Sequence, residues 1–218
     1  MPFVTSSVSA ELQAQIQKAE EMHGFIQRTM PDRFVADTDV KLLVSGLFSL
    51  VMEHHGAILY LFRAGRFDGS AFALIRPLIE CAYRALWIHS CEKPNIVLRI
   101  KNGEDVYPGL ANMAKDIDRR VDGNGMFQAI TPYVNGLHGY THGGLQQLGR
   151  RFDGAGDVRP NYSDGEKTEA VRLTTGYFTA LSIAWCQIAS NHPAGEDVAS
   201  TAISNFYIAQ YQPGVDTA

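Results

Sequence analysis

The sequence predicts an all-α protein, an antiparallel helical bundle with an irregular middle segment. Apolar residues recur at every third or fourth position over several long stretches, which is the period of an amphipathic helix. Alternating strand patterns are absent throughout the sequence. With 218 residues, of which 45% are hydrophobic, the chain is long enough to bury one core. We therefore expect a single helical domain over residues 1–218.

The first half of the sequence predicts three long helices, over residues 9–30, 39–64 and 68–91. Gly65 is a plausible stop for the second helix, and Asp68 is a plausible N-cap for the third. The connection between these two helices is so short that they should run antiparallel. The apolar pattern of the second helix places His54 on its inward side.

The middle of the chain is less regular, because prolines and glycines divide residues 92–135 into short pieces. Ser163 and Glu166 form a capping box, in which each side chain satisfies a free amide at a helix start. Further helices are predicted over residues 110–121, 132–151, 164–191 and 196–210. Trp87 and Trp185 fall within apolar helical runs and are expected in the core.

Charge and composition point to a cytoplasmic protein that does not cross a membrane. The net charge of −4 comes without a long run of either sign, so the broad basic surface of a nonspecific nucleic-acid binder is missing. Three cysteines without paired spacing fit buried reduced thiols, and the N-terminus has no export signal. Residues 42–62 are apolar, but the charge of Glu53 in their middle predicts a buried helix.

The most informative motif is a pair of histidines, His138 and His142, in the glycine-rich residues 135–144. A helical spacing of four places both imidazoles on one face, and imidazole transfers protons near neutral pH. The glycines weaken a helix, so we expect them to permit close helix packing or access of a ligand. The alternative is structural, with both histidines hydrogen-bonded at a helix contact.

A metal site is a further alternative for this pair, since a metal needs three or four ligands. Neither a His-Glu-x-x-His motif nor paired Glu-x-x-His motifs occur, which excludes the usual zinc-protease and di-iron patterns. Glycine motifs that hold phosphates are also missing, and we predict no resident metal or cofactor. The residues that could complete a metal site are Glu53, His54, His55 and Glu80.

Three charged residues, Arg76, Glu80 and Arg84, follow one another at steps of four along the third helix. They share one stripe of a mostly apolar helix. Glu80 could bridge both arginines as a structural ladder. If the helix is buried, the same charges mark a cleft for an anion such as phosphate. In such a cleft, Arg76 or Arg84 would neutralise charge while His142 moves a proton.

Residues 74–80 and 137–143 together resemble a group of bacterial helical proteins of unknown function that are related to the HEPN superfamily. The resemblance covers mainly residues 43–148. It implies a helical domain that forms homodimers, and in HEPN ribonucleases an Arg and a His four to six positions later cut RNA without metal. Such enzymes serve toxin or phage-defence systems, whereas many HEPN-like domains are noncatalytic. Here Arg84 and His89 have the spacing, but the residues between them are apolar.

These observations predict a dimerising, HEPN-like protein in which five side chains surround one cleft directed at RNA or a nucleotide. The candidate catalytic residues are Arg76, Glu80, Arg84, His138 and His142. A noncatalytic dimerisation or ligand-binding module is the first alternative, and a metal-dependent hydrolase is the second.

Overall fold

A computed structural model describes residues 8–30, 37–90, 94–121, 125–152, 158, 160–190 and 198–211. These residues form ten helices and no strand, which confirms the all-helical prediction. The helices are α1 (Ala10–Thr29), α2 (Asp39–Ala64), α3 (Asp68–Ser90), α4 (Pro94–Lys101), α5 (Leu110–Val121), α6 (Met126–Gly136), α7 (His138–Thr141), α8 (Leu145–Gly149), α9 (Asp164–Ser190) and α10 (Val198–Tyr211).

The long helices begin and end where local sequence predicts. The Ser9 hydroxyl accepts a hydrogen bond from the Leu12 amide at 3.3 Å and so caps α1. Gly65 ends α2 with a φ of 63°, in the left-handed region that favours glycine. At the start of α9, the Ser163 hydroxyl and the Glu166 carboxylate form the predicted reciprocal capping box. Cys91, the predicted last residue of the third helix, lies outside the described residues.

The prediction of one helix over residues 132–151 is wrong. α6 begins earlier, at Met126, and contains Pro132 in its interior. The helical path then breaks at Leu137 and again at Gly143, which has a φ of 63°. Two short helices, α7 and α8, replace the predicted C-terminal part, because glycines permit tight turns that a continuous helix does not. α4 is an additional helix in the irregular middle segment.

The core forms around α9, which packs against α1, α2, α3 and α10. Trp185 of α9 and Trp87 of α3 are both buried, as their apolar surroundings predict. Cys81 and Cys186 are both buried, which also agrees with the sequence-based expectation. One cluster of buried apolar side chains joins residues from α1, α2, α3, α5, α6, α9 and α10.

α2 does not bury the side that the sequence predicts. His55 is fully buried and His54 is half-buried, so the expectation that His54 points inward is wrong by one position. Among the described residues, α2 is the one helix long and apolar enough to cross a membrane, a test that core helices also pass. Only 33% of its most apolar stretch is buried, so α2 leaves apolar side chains such as Leu50 on the surface.

Candidate functional site

The glycine-rich residues 135–144 form the end of α6, the short helix α7 and a tight turn before α8. The Gly144 amide donates to the Gly139 carbonyl oxygen at 2.7 Å. A Cβ atom on Gly144 would lie 2.9 Å from the Cα atom of Gly139, closer than real Cβ atoms approach. The glycines therefore permit close packing between α7 and the turn that precedes α8, one of the two roles that their number predicts.

His138 and His142 lie side by side on the surface of this segment. Their ring centroids are 4.6 Å apart, with an angle of 51° between the ring planes, and both side chains are exposed. Tyr140, halfway between them, points to the opposite side of α7 because two helical residues rotate by about 200°. The pair is thus displayed away from the surface on which Tyr140 packs.

Three aromatic rings attach α7 to the beginning of α3. The Phe72 ring lies 5.6 Å from that of Tyr140 and 4.8 Å from that of Tyr162, which precedes α9. Gln147 of α8 adds a hydrogen bond from its side-chain amide to the Gly69 carbonyl oxygen at 3.1 Å. α7 therefore packs against α3 through a cluster of aromatic rings, and this packing restricts the positions that the two histidines can take.

Arg76 and Glu80 form a partly buried ion pair on α3. The Arg76 Nε atom lies 2.7 Å from the Glu80 Oε1 atom, and the two side chains are 18% and 28% exposed. Phe72 and Arg76 share one face of α3 because they are four residues apart. Arg76 therefore lies about 6 Å along the helix axis from the position that contacts Tyr140.

Arg84 lies in different surroundings, about 12 Å farther along the α3 axis than Arg76. Its guanidinium carbon is 4.8 Å from the centroid of the Tyr107 ring, a cation–π contact. Its Nε atom is buried, without a hydrogen-bond partner in the described part of the chain. Within the described residues Glu80 pairs with Arg76, and Arg84 forms no ion pair or hydrogen bond with Glu80, His138 or His142. A single cleft around all five candidates remains a prediction.

The side chains proposed to complete a metal site do not gather around the histidine pair. Among the described residues, no group of three or more His, Cys, Asp or Glu side chains is placed to hold a metal ion. His55, one of the proposed ligands, is buried and lies within hydrogen-bond distance of His23 and Thr175. In the described part of the chain, His138 and His142 therefore lie together without a third candidate metal ligand beside them.

Sequence reasoning missed a buried ionic cluster where α1, α3 and α9 meet. Lys167 is only 2% exposed, and its Nζ atom lies 3.0 Å from the Asp68 Oδ2 atom and 3.4 Å from the Asp164 Oδ1 atom. The other Asp164 oxygen accepts from the Ser9 amide at 2.7 Å. Asp68 is therefore the first residue of α3 and an ion-pair partner of Lys167, and the prediction that it is the N-cap is wrong.

A second missed feature is a chain of hydrogen bonds through His23, His55 and Thr175. The Nδ1 atoms of His23 and His55 are 2.9 Å apart, and the His55 Nε2 atom is 3.1 Å from the Thr175 hydroxyl. Both imidazoles stack on the Phe178 ring, with centroids 4.9 Å and 4.7 Å from it. The chain joins α1, α2 and α9 in the core.

The donor and the acceptor of each of these hydrogen bonds can be assigned by starting from Thr175. The Thr175 hydroxyl donates to the Val171 carbonyl oxygen at 2.7 Å, so it accepts from the His55 Nε2–H group. His55 Nδ1 then carries a lone pair and accepts from His23 Nδ1–H. Burial lowers the pKa of His23, and burial together with His23 lowers the pKa of His55 well below its usual value. Both effects favour neutral imidazoles.

Comparison with known proteins places the chain in a family without assigning it an activity. No curated protein and no solved structure matches it. A protein-family model, described as a family of unknown function (DUF6988), matches residues 48–206. That match includes α3, α7 and α8 and leaves α1 outside. Because the match covers well over half of the 218 residues, the chain belongs to the DUF6988 family.

Proposed function

We propose that this protein is a HEPN-like antiparallel bundle that uses His138 and His142 to cleave RNA, or a nucleotide phosphodiester, without a metal ion. The observation that carries the proposal is the pair itself, two exposed imidazoles with centroids 4.6 Å apart, at the beginning of α7 and just after its end. Two neighbouring imidazoles can supply the base and the acid that phosphodiester cleavage requires.

In the proposed reaction, one histidine removes the proton from a ribose 2′-hydroxyl, and the 2′-oxygen attacks the adjacent phosphorus. The bond from phosphorus to the 5′-oxygen breaks, and the other histidine gives that oxygen a proton. The products are a 2′,3′-cyclic phosphate and a 5′-hydroxyl. Arg76, oriented by Glu80, would neutralise the charge that develops on the phosphoryl oxygens.

The test is incubation of the purified protein with single-stranded RNA in the presence of EDTA. We expect cleavage with cyclic-phosphate products, and no cleavage where a 2′-deoxynucleotide replaces the attacking ribose. His138→Gln and His142→Gln should each lower the rate about 10²-fold or more, the contribution of one acid or base. His54→Gln, a half-buried histidine on α2, is the matched control and should retain full activity.

The arginines are tested in the same assay. Arg76→Ala should lower the rate, while Arg84→Ala should mainly lower the free energy of unfolding, because its side chain packs on Tyr107. Cleavage that survives both histidine substitutions would reject the proposed site. Cleavage that disappears with EDTA would instead favour a metal-dependent hydrolase.

A noncatalytic binding module is the second candidate, and the exposed apolar side chains that follow the histidines in the chain favour it. Leu145 and Leu148 of α8 are 83% and 51% exposed, and Phe152 is 48% exposed. Apolar side chains grouped on a surface mark sites of protein interaction, including homodimer contacts. The absence of cleavage, together with a dimer that Leu145→Ser and Leu148→Ser dissociate, would support this candidate over the nuclease.

A further inference from the structure

A groove separate from the histidine segment lies between α6, α9 and α10. Its volume is about 510 Å³, within the range of pockets that hold small organic molecules. Aromatic and aliphatic side chains form most of its walls. Its apolar lining includes Phe127, Ile130, Leu173, Tyr177, Ile183 and Tyr207.

Gly176 in the interior of α9 contributes to this volume. Apart from proline, glycine is the least favourable residue inside a helix. Nothing in the packing requires it here, because a Cβ atom would have the Tyr207 hydroxyl oxygen, at 3.6 Å, as its nearest neighbour. The glycine leaves room in the groove, and a larger residue would fill that room.

The charged residues of the groove lie toward its N-terminal end along α9. Arg172 and Glu169 form an ion pair at 2.9 Å, with side chains 51% and 72% exposed. A pair this exposed contributes little to stability, so a ligand carboxylate can take the place of Glu169 on Arg172. From Arg172 to Ile183 the α9 axis extends about 16 Å, which gives an elongated apolar body room to lie along it.

The floor of the groove also carries an unsatisfied polar group. Thr179 is 3% exposed, and its hydroxyl has no hydrogen-bond partner in the described part of the chain. Tyr177 differs, because its hydroxyl lies 3.3 Å from that of Tyr83. Buried hydroxyls usually find a partner, so this hydroxyl leaves one hydrogen bond of the groove wall unmade, about 10 Å along α9 from Arg172.

We propose that this groove binds an amphipathic carboxylate, such as a medium-chain fatty acid, with its chain along α9 and its carboxylate on Arg172. The apolar walls recognise the chain, and the guanidinium group recognises the carboxylate through charge-assisted hydrogen bonds. The proposal does not depend on the RNA-directed function, since the groove and the histidine pair share no residue.

The test is calorimetric titration of the full chain with decanoate and, in parallel, with uncharged decanol. We expect saturable binding of decanoate, and about tenfold weaker binding of decanoate to Arg172→Gln with decanol binding unchanged. Arg119→Gln is the matched control, because Arg119 also belongs to an exposed i,i+3 pair, with Asp116 at 3.1 Å, and it should not change either affinity.

Filling the groove tests its apolar part. Gly176→Leu should weaken the binding of both ligands at least tenfold, whereas Gly46→Leu, at a helical glycine with open space around it, should change neither. Ala180→Phe, at a second lining position, replaces Gly176→Leu if that variant does not unfold cooperatively. The absence of saturable decanoate binding to the unmodified chain overturns the proposal, as does affinity unaffected by the filling variant. If Arg172→Gln does not change the affinity for decanoate, the proposal that the carboxylate binds Arg172 is rejected.

Discussion

Acidification should destabilise this protein through the buried imidazoles of His23 and His55. Their pKa values are lowered in the folded state, so the unfolded chain binds more protons as the pH falls below about 6.5. Stability is therefore complete above pH 6.5 and declines below it. One histidine that stays neutral while its unfolded form titrates costs about 1.4 kcal/mol at pH 5.5 and about 2.7 kcal/mol at pH 4.5.

The hydrogen-bond directions explain why the native state resists protonation. A proton on His55 Nδ1 would remove the lone pair that accepts from His23, and His55 is 0% exposed. Burial raises the pKa values of Asp164 and Glu166, but hydrogen bonds from Ser9 and Ser163, together with the neighbouring cations Lys167 and Arg150, lower both overall. Those carboxylates lose their contribution below about pH 4.5, so the interval from pH 6.5 to 5.0 separates the titration of histidines from that of the carboxylates.

Urea unfolding followed by circular dichroism at pH 7.5, 6.5 and 5.5 measures this effect. The unmodified chain should lose at least about 1.4 kcal/mol between pH 7.5 and 5.5. His55→Gln should be less stable at pH 7.5, because His23 and Thr175 lose their partner, but its stability should depend less on pH. His54→Gln is the control and should keep the slope of the unmodified chain. Equal slopes for His55→Gln and the unmodified chain would refute the reasoning.

Two further predictions concern the ionic cluster and the glycine turn. Lys167→Met should cost about 3–5 kcal/mol in urea unfolding, because it leaves Asp68 buried without its cation, and adding Asp68→Leu should recover most of the loss. An unchanged midpoint in Lys167→Met would contradict the buried pairing. Gly144→Ala should cost about 1–3 kcal/mol, since its Cβ atom would press on the Gly139 backbone, whereas Gly136→Ala has open space and should be neutral or stabilising. Equal stabilities of these two alanine variants would show that the turn can relax.

Local sequence predicted the long helices well, because their boundaries depend on nearby residues. The Ser9 cap, the Gly65 stop and the Ser163–Glu166 capping box all act within four residues of the helix end that they define. α5 likewise begins and ends at the predicted residues, 110 and 121, between glycines that divide the middle of the chain.

The prediction failed for residues 126–151, because their structure depends on contacts with distant parts of the chain. The sequence predicted one helix over residues 132–151 with His138 and His142 on one face, and their rings do lie together. The path of the chain, however, depends on the approach of Gly144 to Gly139 and on the contact of Tyr140 with Phe72. The spacing of residues within the segment cannot predict the contact of Tyr140 with Phe72, because Phe72 lies far away in the sequence.

For a related reason, the sequence pattern did not predict that His55 and Lys167 are buried. α2 has apolar residues around most of its circumference, so its pattern does not decide between His54 and His55. The packing of α1 and α9 against α2 decides it, together with Thr175, which lies 120 residues from His55 in the chain. Lys167 likewise resembles an ordinary surface lysine until Asp68 is placed beside it.

The bond between Ser9 and Asp164 also has a consequence for how the chain is made. It joins residues 155 positions apart, and α1 packs extensively on α9. A ribosome that adds about 5–20 residues per second needs roughly 8–30 s to synthesise α9 after α1. During that time Leu12, Ile16 and Ile26, which are fully or almost fully buried in the folded protein, lack the surface of α9. α1 is thus covered only after α9 has been synthesised, which gives a chaperone a reason to bind it in the meantime.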